Sequence, residues 1–359
     1  MLFEPYKLKN ISLRNRIVMA PMTRNQSPGG IPTDEVVSYY KRRSKGEVGL
    51  IITEGVEISH KASSAYPNVP RLDSIEARDG WKRVVDGIKA HNGSVIAQLW
   101  HCGGFRKIGM APDPDIPGHT ASGLVRPGKK VAHAMTSEDI KETIDAFASD
   151  AKYCEEIGFD GVEIHGAHGY LIDNFFWEGT NERKDVYGGT IEKRSQLATD
   201  IVKAIRSSVS DNFIIGLRFS QWKQQDYDAK LASTPDDLLN VIEPPARAGL
   251  DYLHSSMRRF WESEFEGSDE NLAYWTKKLT GLPTISVGSV GLDSDFIDMS
   301  APASPANIDM AINDILDNKY DMVAVGRALL ADHEWVLKMK EGRLKDINPY
   351  TKEALFNLY

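Results

Sequence analysis

The chain has 359 residues, of which 43 are basic and 51 are acidic, and its formal net charge is −8. This length suits a barrel of about 250 residues with insertions, and it is enough to bury a full hydrophobic core. The acidic balance argues against nucleic acid or an anionic membrane as the main partner, because both are recognised by clustered Lys and Arg.

Cysteine usage and the N-terminus indicate the cellular compartment. The two cysteines, Cys102 and Cys154, are too few for a disulfide framework or a four-cysteine iron–sulfur cluster. The first residues, Met1 to Tyr6, lack the basic region and apolar run of a signal peptide. No apolar stretch approaches the length of about 18 residues that a membrane span requires. We therefore expect a cytoplasmic protein.

Short apolar runs alternate with amphipathic stretches along the whole chain. Most runs are continuously apolar, which is typical of strands that are buried on both faces. The predicted strands are Arg16–Met22, Gly49–Val56, Ser94–Trp100, Gly161–His165, Phe213–Ser220, Asp251–His254, Thr284–Val290 and Asp321–Gly326. The predicted helices are Thr33–Ser44, Trp81–His91, Thr136–Ile157, Ile191–Val209, Pro235–Val241, Leu272–Thr280, Ile308–Asn318 and Glu334–Glu341.

This alternation predicts an α/β fold, a (β/α)8 TIM barrel, rather than an open doubly wound sheet. The pair Pro244-Pro245 predicts an early end of the fifth helix, because proline lacks the backbone N–H that a helix needs. We find no internal repeat or domain boundary. Residues 1–359 are expected to form one barrel domain.

Two long connections follow predicted strands, residues 102–135 after the third and 291–306 after the seventh. Both are expected on the C-terminal face of the barrel, where long loops are more often lids than linkers. We predict a lid-like loop after strand three. Substrate specificity is expected in the 102–135 and 255–270 loops, whose structure the sequence does not define.

Polar and small residues follow the predicted strands, at the end where barrel enzymes build their active sites. They are Ala20-Pro21-Met22-Thr23-Arg24, Thr53-Glu54-Gly55, Ala97-Gln98-Leu99-Trp100-His101, the run from Glu163 to Tyr170, Gly216-Leu217-Arg218-Phe219-Ser220, Val287-Gly288-Ser289 and Gly326-Arg327.

The residues alone leave several interpretations open. His165 and His168 form a His-x-x-His pair, which is compatible with a metal site or with two hydrogen-bonded core histidines. Arg218 could stabilise a bound anion or form a salt bridge across the barrel mouth. Gly288-Ser289 and Gly326-Arg327 lie where barrels commonly bind a phosphate, although Arg327 could also lie on the surface. No Gly-x-Gly-x-x-Gly motif follows a strand, so a Rossmann dinucleotide site is not indicated.

Six motifs occur in one order and cover nearly the whole chain. They are Met19-Ala-Pro-Met-Thr-Arg, Gln98-Leu-Trp-His, His165-Gly-Ala-His-Gly-Tyr-Leu, Asn181-Glu-Arg-Lys-Asp-Val-Tyr-Gly-Gly-Thr-Ile-Glu-Lys-Arg, Gly216-Leu-Arg-Phe-Ser and Val325-Gly-Arg-Ala-Leu. In this ordered set the chain resembles the old yellow enzyme family of ene-reductases. The resemblance implies non-covalent FMN, with NADH or NADPH as reductant. It also implies reduction of the C=C bond of an α,β-unsaturated carbonyl or nitro compound by hydride transfer from flavin N5.

The resemblance also implies a role for each site residue. His165 and His168 would donate hydrogen bonds to the substrate carbonyl oxygen, and Tyr170 would protonate the α-carbon. Tyr66 and Trp100 would form aromatic walls, and no metal is expected. The residues that would contact FMN are Ala20, Pro21, Met22, Thr23, Gly55, Gln98, Arg218, Gly288, Ser289, Gly326 and Arg327.

The chain departs from the family pattern at three places. His168 stands where many relatives have Asn, Gly103-Gly104 where many have Gly-Arg, and Pro70-Arg71-Leu72 follows Tyr66 in place of a Pro-Gly-Ile-Trp type of sequence. His168 can still donate a hydrogen bond, whereas the other two departures leave the substrate open but not the flavin. The alternatives are an FMN-barrel amine demethylase or dehydrogenase and a non-catalytic flavin-binding protein. The partners are expected to be small molecules, and the protein a monomer or homo-oligomer.

Overall fold

A computed structural model describes residues 1–294, 303, 304, 306 and 308–359. Eight of its strands close into a parallel barrel. Each strand pairs with the next along the chain, and the last pairs with the first. The predicted (β/α)8 barrel is confirmed. The strands are β1 (Ile17–Met19), β2 (Leu50–Glu57), β3 (Ser94–Trp100), β4 (Gly161–His168), β5 (Ile214–Lys223), β6 (Tyr252–Ser256), β7 (Thr284–Val287) and β8 (Met322–Val325).

Helices surround the barrel and bury their apolar faces against it, which is how a (β/α)8 fold forms its outer core. Among the described residues, no helix is both long and apolar enough to cross a membrane. The helices are α1 (Asp34–Lys45), α2 (Ile75–Lys89), α3 (Ser137–Ile157), α4 (Leu171–Phe176), α5 (Ile191–Arg194), α6 (Gln196–Ser208), α7 (Pro235–Arg247), α8 (Leu272–Thr280), α9 (Ile308–Leu316), α10 (Arg327–Ala331) and α11 (Trp335–Lys340).

Shorter strands complete the two ends of the barrel. At one end, an antiparallel hairpin of Tyr6–Leu8 and Ile11–Leu13 packs Leu8 and Leu13 into the apolar cluster inside the barrel. The connection after β3 contains two small pairings rather than a bare loop, and whether it acts as a lid stays a prediction. These pairings are His119–Thr120 with His133–Ala134, and Leu124–Arg126 with Lys129–Lys130.

Several boundaries differ from the sequence predictions. The predicted end of the fifth helix before Pro244-Pro245 is wrong, because α7 continues to Arg247. Burial of Leu238, Val241, Ile242 and Pro245 against the barrel outweighs the lost hydrogen bonds, which fall in the last turns of the helix. The predicted helix Ile191–Val209 is divided at Ser195. The predicted 291–306 connection lies partly outside the described residues.

Aspartates satisfy strand N–H groups at the N-terminal end of the barrel. Three aspartates each directly precede a strand: Asp160, Asp251 and Asp321. Each side chain contacts the start of the previous strand in the chain. Their Oδ2 atoms accept hydrogen bonds from Val95 N at 2.8 Å, from Ile215 N at 2.9 Å and from Thr284 N at 2.9 Å, respectively. A buried strand N–H without a partner is unfavourable, so these carboxylates stabilise alternate strand pairs.

We predict that Asp251→Ala lowers the free energy of unfolding by about 1–3 kcal/mol, because Ile215 N loses its acceptor and Arg206 loses its carboxylate partner. Denaturant unfolding measures this change. The matched control is Asp145→Ala, which removes only an exposed partner of Lys141 and should leave unfolding nearly unchanged. Equal stability of the two variants would contradict the prediction.

Candidate active site

Two adjoining cavities open at the C-terminal end of the barrel, one of about 550 Å³ and one of about 140 Å³. Both are lined by Pro21, Thr23, His168 and Arg218, so they form one continuous site. The smaller cavity is also lined by the predicted site residues Gly55, Gln98, Trp100, His165 and Tyr170. The larger cavity is also lined by the predicted site residues Ala20, Met22, Gly288, Ser289, Gly326 and Arg327.

A buried carboxylate holds the wall of the smaller cavity. Glu163 Oε1 accepts a hydrogen bond from Gln98 Nε2 at 2.7 Å, and Oε2 accepts from Tyr252 Oη at 3.0 Å and from His254 Nδ1 at 2.8 Å. Burial acts to raise the pKa of the Glu163 carboxyl, but His254, Arg218 and Gln98 outweigh it, so the pKa lies below its usual value. Gln98 Oε1 is thereby left for the cavity that this residue lines.

Arg218 is a buried cation where the two cavities meet. Its Nη2 donates to Ser256 Oγ at 3.1 Å, while its Nε is buried and has no hydrogen-bond partner in the described part of the chain. Burial lowers the pKa of the guanidinium, and the charge of Glu163 opposes that shift. A desolvated cation with an unused donor requires an acceptor from a bound group, so this side chain fits the predicted FMN.

Hydrogen bonds from Arg218 continue to His168. Ser256 Oγ lies 2.8 Å from His168 Nε2, and because Ser256 already accepts from Arg218, its own proton is available to His168. The imidazole proton is then on Nδ1. His168 has a left-handed φ of 65°, and its ring stacks on Trp222 with centroids 4.4 Å apart. The ring orientation is therefore fixed from two sides.

His165 lies beside His168 with the opposite ring nitrogen engaged. Its Nδ1 accepts from Ala167 N at 3.3 Å, so the proton is on Nε2, and its ring stacks against Trp100. Burial, followed by the charge of Arg218, lowers the pKa of both histidines well below the usual value. Each is a neutral imidazole with one N–H to donate. No third metal ligand joins the pair among the described residues.

Tyr170 completes the smaller cavity. Its ring packs against Phe105 at 4.5 Å and edge-on against Trp100 at 4.8 Å between centroids. Its hydroxyl lies 3.1 Å from the hydroxyl of Tyr66. Burial raises the pKa of Tyr170 well above its usual value, so the phenol stays protonated. Tyr66 is not among the residues that line the two cavities, although it stacks on Trp100 behind them.

The loop after β1 is supported by another buried carboxylate. Glu54 Oε2 accepts from Arg24 N at 2.8 Å, directly after Thr23 on the cavity wall. Burial raises the pKa of Glu54 to about 7. Gly55 follows on the same strand, and a Cβ there would lie 2.4 Å from the ring of Trp100. Glycine is thus required at this position by Trp100, whereas the sequence suggested close approach of a flavin.

One end of the larger cavity is lined by small residues and one basic residue, namely Gly288, Ser289, Gly326 and Arg327. Gly288 lines the cavity and, as a glycine, presents only backbone atoms to it. A Cβ on Gly288 would lie 2.9 Å from the carbonyl oxygen of Met257, so the chain is closely packed here. Arg327, at the start of α10, reaches Ser289, with Nη2 and Oγ 3.5 Å apart. This combination of exposed backbone, hydroxyl and guanidinium suits a single phosphate.

The sequence interpretation gave no role to four supporting residues, Glu163, His254, Ser256 and Trp222. Glu163 carried a visible signal, since a carboxylate inside the apolar strand Gly161–His168 must be paired when it is buried. Nothing in the sequence indicated that His254 is its partner, because the two residues are 91 positions apart. Trp222 lies beyond the predicted end of the strand at Ser220, whereas β5 extends to Lys223.

Known proteins share this architecture and sequence. Over residues 1–346 the chain matches the NADH:flavin oxidoreductase / NADH oxidase family. It is 30% identical, over 98% of its length and 91% of the relative's, to the Probable NADH-dependent flavin oxidoreductase YqiG of Bacillus subtilis (strain 168). It is 32% identical to 12-oxophytodienoate reductase 7 of Oryza sativa subsp. japonica, over 78% of this chain and 76% of that protein.

A solved structure agrees. The structure of morphinone reductase in complex with tetrahydroNAD superimposes with a TM-score of 0.81 at 25% identity, covering 95% of this chain and 90% of that chain. Sequence matches, barrel and cavities therefore favour an oxidoreductase over a non-catalytic flavin-binding protein. The chain belongs to the NADH:flavin oxidoreductase / NADH oxidase family, the old yellow enzyme family, and is an FMN-dependent oxidoreductase that uses NADH or NADPH.

Proposed function

We propose that the chain is an ene-reductase that reduces the C=C bond of an α,β-unsaturated carbonyl or nitro compound. The observation that carries this proposal is the cavity of about 140 Å³, in which two neutral imidazoles and a protonated phenol meet Gln98 and Arg218. Similarity to proteins named 12-oxophytodienoate reductases supports an enone as the substrate class. When bound, FMN supplies the hydride, which comes from the nicotinamide of NADH or NADPH.

The cofactor residues act as hydrogen-bond partners and as a fixed charge. Gln98 Oε1 would accept from the pyrimidine edge of bound FMN, and the Thr23 hydroxyl would donate to a flavin carbonyl. Arg218 would stabilise negative charge on the flavin, and the low dielectric of its buried position would strengthen this interaction. The phosphate would be held by Gly288, Ser289, Gly326 and Arg327, and the ring would be contacted by Ala20, Pro21, Met22 and Gly55.

The substrate residues polarise the acceptor and provide the proton. Neutral His165 and His168 donate from Nε2 and Nδ1 to the carbonyl or nitro oxygen, which draws electron density away from the β-carbon. Tyr170 then donates its proton to the α-carbon. Trp100 forms the aromatic wall beside it, and Tyr66 stacks on Trp100 and supports this wall. Because Arg218 helps to keep both imidazoles neutral, the same cation serves both halves of the site.

We also propose that residues 1–359 act as one FMN-binding unit. The hairpin of Tyr6–Leu8 and Ile11–Leu13 packs into one end of the barrel. The last residues of the chain contact α1 and the loop after β1. Arg43 Nη2 donates to Tyr359 O at 2.7 Å, and Arg24 Nη2 donates to Asn357 O at 2.7 Å. Arg24 directly follows Thr23, so the C-terminal residues brace the wall of the site.

The proposal predicts a complete anaerobic cycle. The purified protein should release FMN on denaturation, NADH or NADPH should bleach its flavin absorption without oxygen, and 2-cyclohexenone should restore it. Release of FAD would contradict the cofactor assignment. Bleaching by an amine, with no response to the enone, would instead favour the amine demethylase alternative.

Replacing Tyr170 by Phe should separate the two half-reactions. The ring and its packing remain, so flavin reduction by NAD(P)H should be near normal, while enone reduction should fall by about 10²–10⁴-fold. Nitroalkenes should still accept hydride, because the nitronate can be protonated in water. Stopped-flow absorbance resolves each step.

The matched control for this change is Tyr66→Phe. It removes the hydroxyl that contacts Tyr170 but leaves the proposed proton donor in place, so enone reduction should fall much less. Equal slowing of both half-reactions in Tyr170→Phe would assign this residue to the nicotinamide site or to folding. Unchanged enone reduction would show that another group delivers the proton.

The histidines should bind the oxygen of a phenol as they would bind the substrate oxygen. We expect His165→Ala and His168→Ala each to weaken phenol binding by about 10- to 100-fold. The reason is that the phenol binds as phenolate, and a hydrogen bond to a charged oxygen is worth about 1.5–3 kcal/mol. The long-wavelength absorption of the phenol complex measures binding. Retention of phenol binding and enone turnover in the double variant would refute this assignment.

A further inference from the structure

A second cluster of polar side chains lies where the connection after β3 meets the start of α3. His119, His133 and Asp139 each offer one possible ligand atom, and these atoms lie within 4.8 Å of one another. None of the three lines either cavity of the candidate active site. His119 is 3% exposed and Asp139 is 9% exposed, whereas the His133 side chain is 38% exposed, so the cluster is buried on one side and open to solvent at His133. The residue types are those that bind transition-metal ions.

The backbone holds the two imidazoles side by side. His119–Thr120 and His133–Ala134 form a parallel pair in which His119 and His133 are direct partners. Side chains of paired residues project to the same face, and these two rings have centroids 4.7 Å apart. Hydrogen bonds on either side, from His133 N to Gly118 O at 2.8 Å and from Met135 N to Thr120 O at 3.0 Å, fix this register.

Asp139 is held by the first turn of α3. Thr136 and Asp139 form a capping box, in which Asp139 Oδ2 accepts from Thr136 N at 2.8 Å and from Thr136 Oγ1 at 2.7 Å. The same oxygen lies 2.8 Å from His133 Nε2. Hydrogen bonds that orient a carboxylate in this way are typical of the surroundings of a metal ligand. The three side chains are therefore presented by elements that are rigid without an ion.

His60 borders the cluster but does not qualify as a ligand. Its ring centroid lies 5.4 Å from that of His119. His101 Nδ1 accepts from Gly103 N, so His101 Nε2 carries the proton and donates to His60 Nδ1 at 3.1 Å. The proton of His60 is then on Nε2. His60 does not belong to the group of side chains whose ligand atoms lie within 4.8 Å of one another, so the set of protein ligands among the described residues is His119, His133 and Asp139.

His119 gives the observation that points to a ligand. Its Nδ1 is buried and has no hydrogen-bond partner among the residues that the structure describes. A simple His133–Asp139 hydrogen bond accounts for those two residues, but it leaves the buried imidazole of His119 unexplained. An orphaned nitrogen beside a second imidazole and a carboxylate is explained if the three share an ion.

We propose that His119, His133 and Asp139 bind a transition-metal ion of the zinc class, with water at the remaining position. Two imidazoles and one carboxylate are a donor set that zinc accepts, and three protein ligands leave one tetrahedral position open. The ion would join the connection after β3 to α3. Phe105, in the same connection, packs on the ring of Tyr170 at 4.5 Å, so this site would stabilise a segment that borders the active site.

The proposal is tested by measuring zinc binding to the untagged, FMN-loaded full chain, which is first treated with a chelator to remove bound metal. Isothermal titration with zinc chloride should give one ion per chain. His119→Gln and His133→Gln should each weaken zinc binding by more than about 10-fold, since even loss of a residue that only supports a ligand has an effect of this size. His91→Gln, outside the cluster, is the matched control and should bind zinc like the parent protein.

Thermal unfolding separates metal binding from a structural role of the same side chains. Zinc should raise the unfolding temperature of the parent and of His91→Gln, but not that of His133→Gln, whose imidazole is 38% exposed and tolerates replacement. No zinc binding by the parent, or equal binding by the cluster variants, would overturn the proposal. Zinc binding that is lost only in the His165→Ala variant would also overturn the proposal. Restoration of the bleached flavin absorption by 2-cyclohexenone in the same samples tests the proposed ene-reductase separately.

Discussion

The buried carboxylate of Glu163 is the interaction on which the active site depends. A carboxylate inside an apolar barrel is unfavourable unless it is paired and hydrogen-bonded, and here it accepts from Gln98, Tyr252 and His254. These partners belong to β3 and β6, so one side chain on β4 connects three strands at the cavity. Its negative charge also compensates that of Arg218 on β5. The orientation of Gln98 and the presence of a buried cation therefore follow from the same residue.

Arg218 connects the cofactor side of the site to the substrate side. Arg218 donates to Ser256, which meets His168, whose ring stacks on Trp222. Its charge also lowers the pKa of His165 and His168. A charged imidazole beside a buried guanidinium would be repelled, so the pair can only act as neutral donors. Cofactor and substrate sites are thus electrostatically coupled, and a change at Arg218 would disturb both.

The sequence predicted the barrel well, because apolar runs and amphipathic stretches report burial directly. It did not predict the extension of β5 to Lys223, since Gln221 to Lys223 look like a polar loop. Lys223 is buried there because its Nζ meets Asp173 at 2.7 Å, a partner 50 positions away. For the site, the motifs identified residues that line the cavities. The hydrogen bonds that orient them join distant strands, and a single sequence carries no signal for such pairs.

The two ends of the barrel treat polar groups in opposite ways. At the N-terminal end, Asp160, Asp251 and Asp321 satisfy strand N–H groups, and each also meets a cationic side chain. At the C-terminal end, Arg218 Nε and Trp100 Nε1 are buried without partners among the described residues. Unsatisfied buried donors destabilise the protein alone and are retained where a ligand supplies the acceptor. The aspartates at the N-terminal end therefore stabilise the strands, while the unpartnered donors at the C-terminal end are available to a bound ligand.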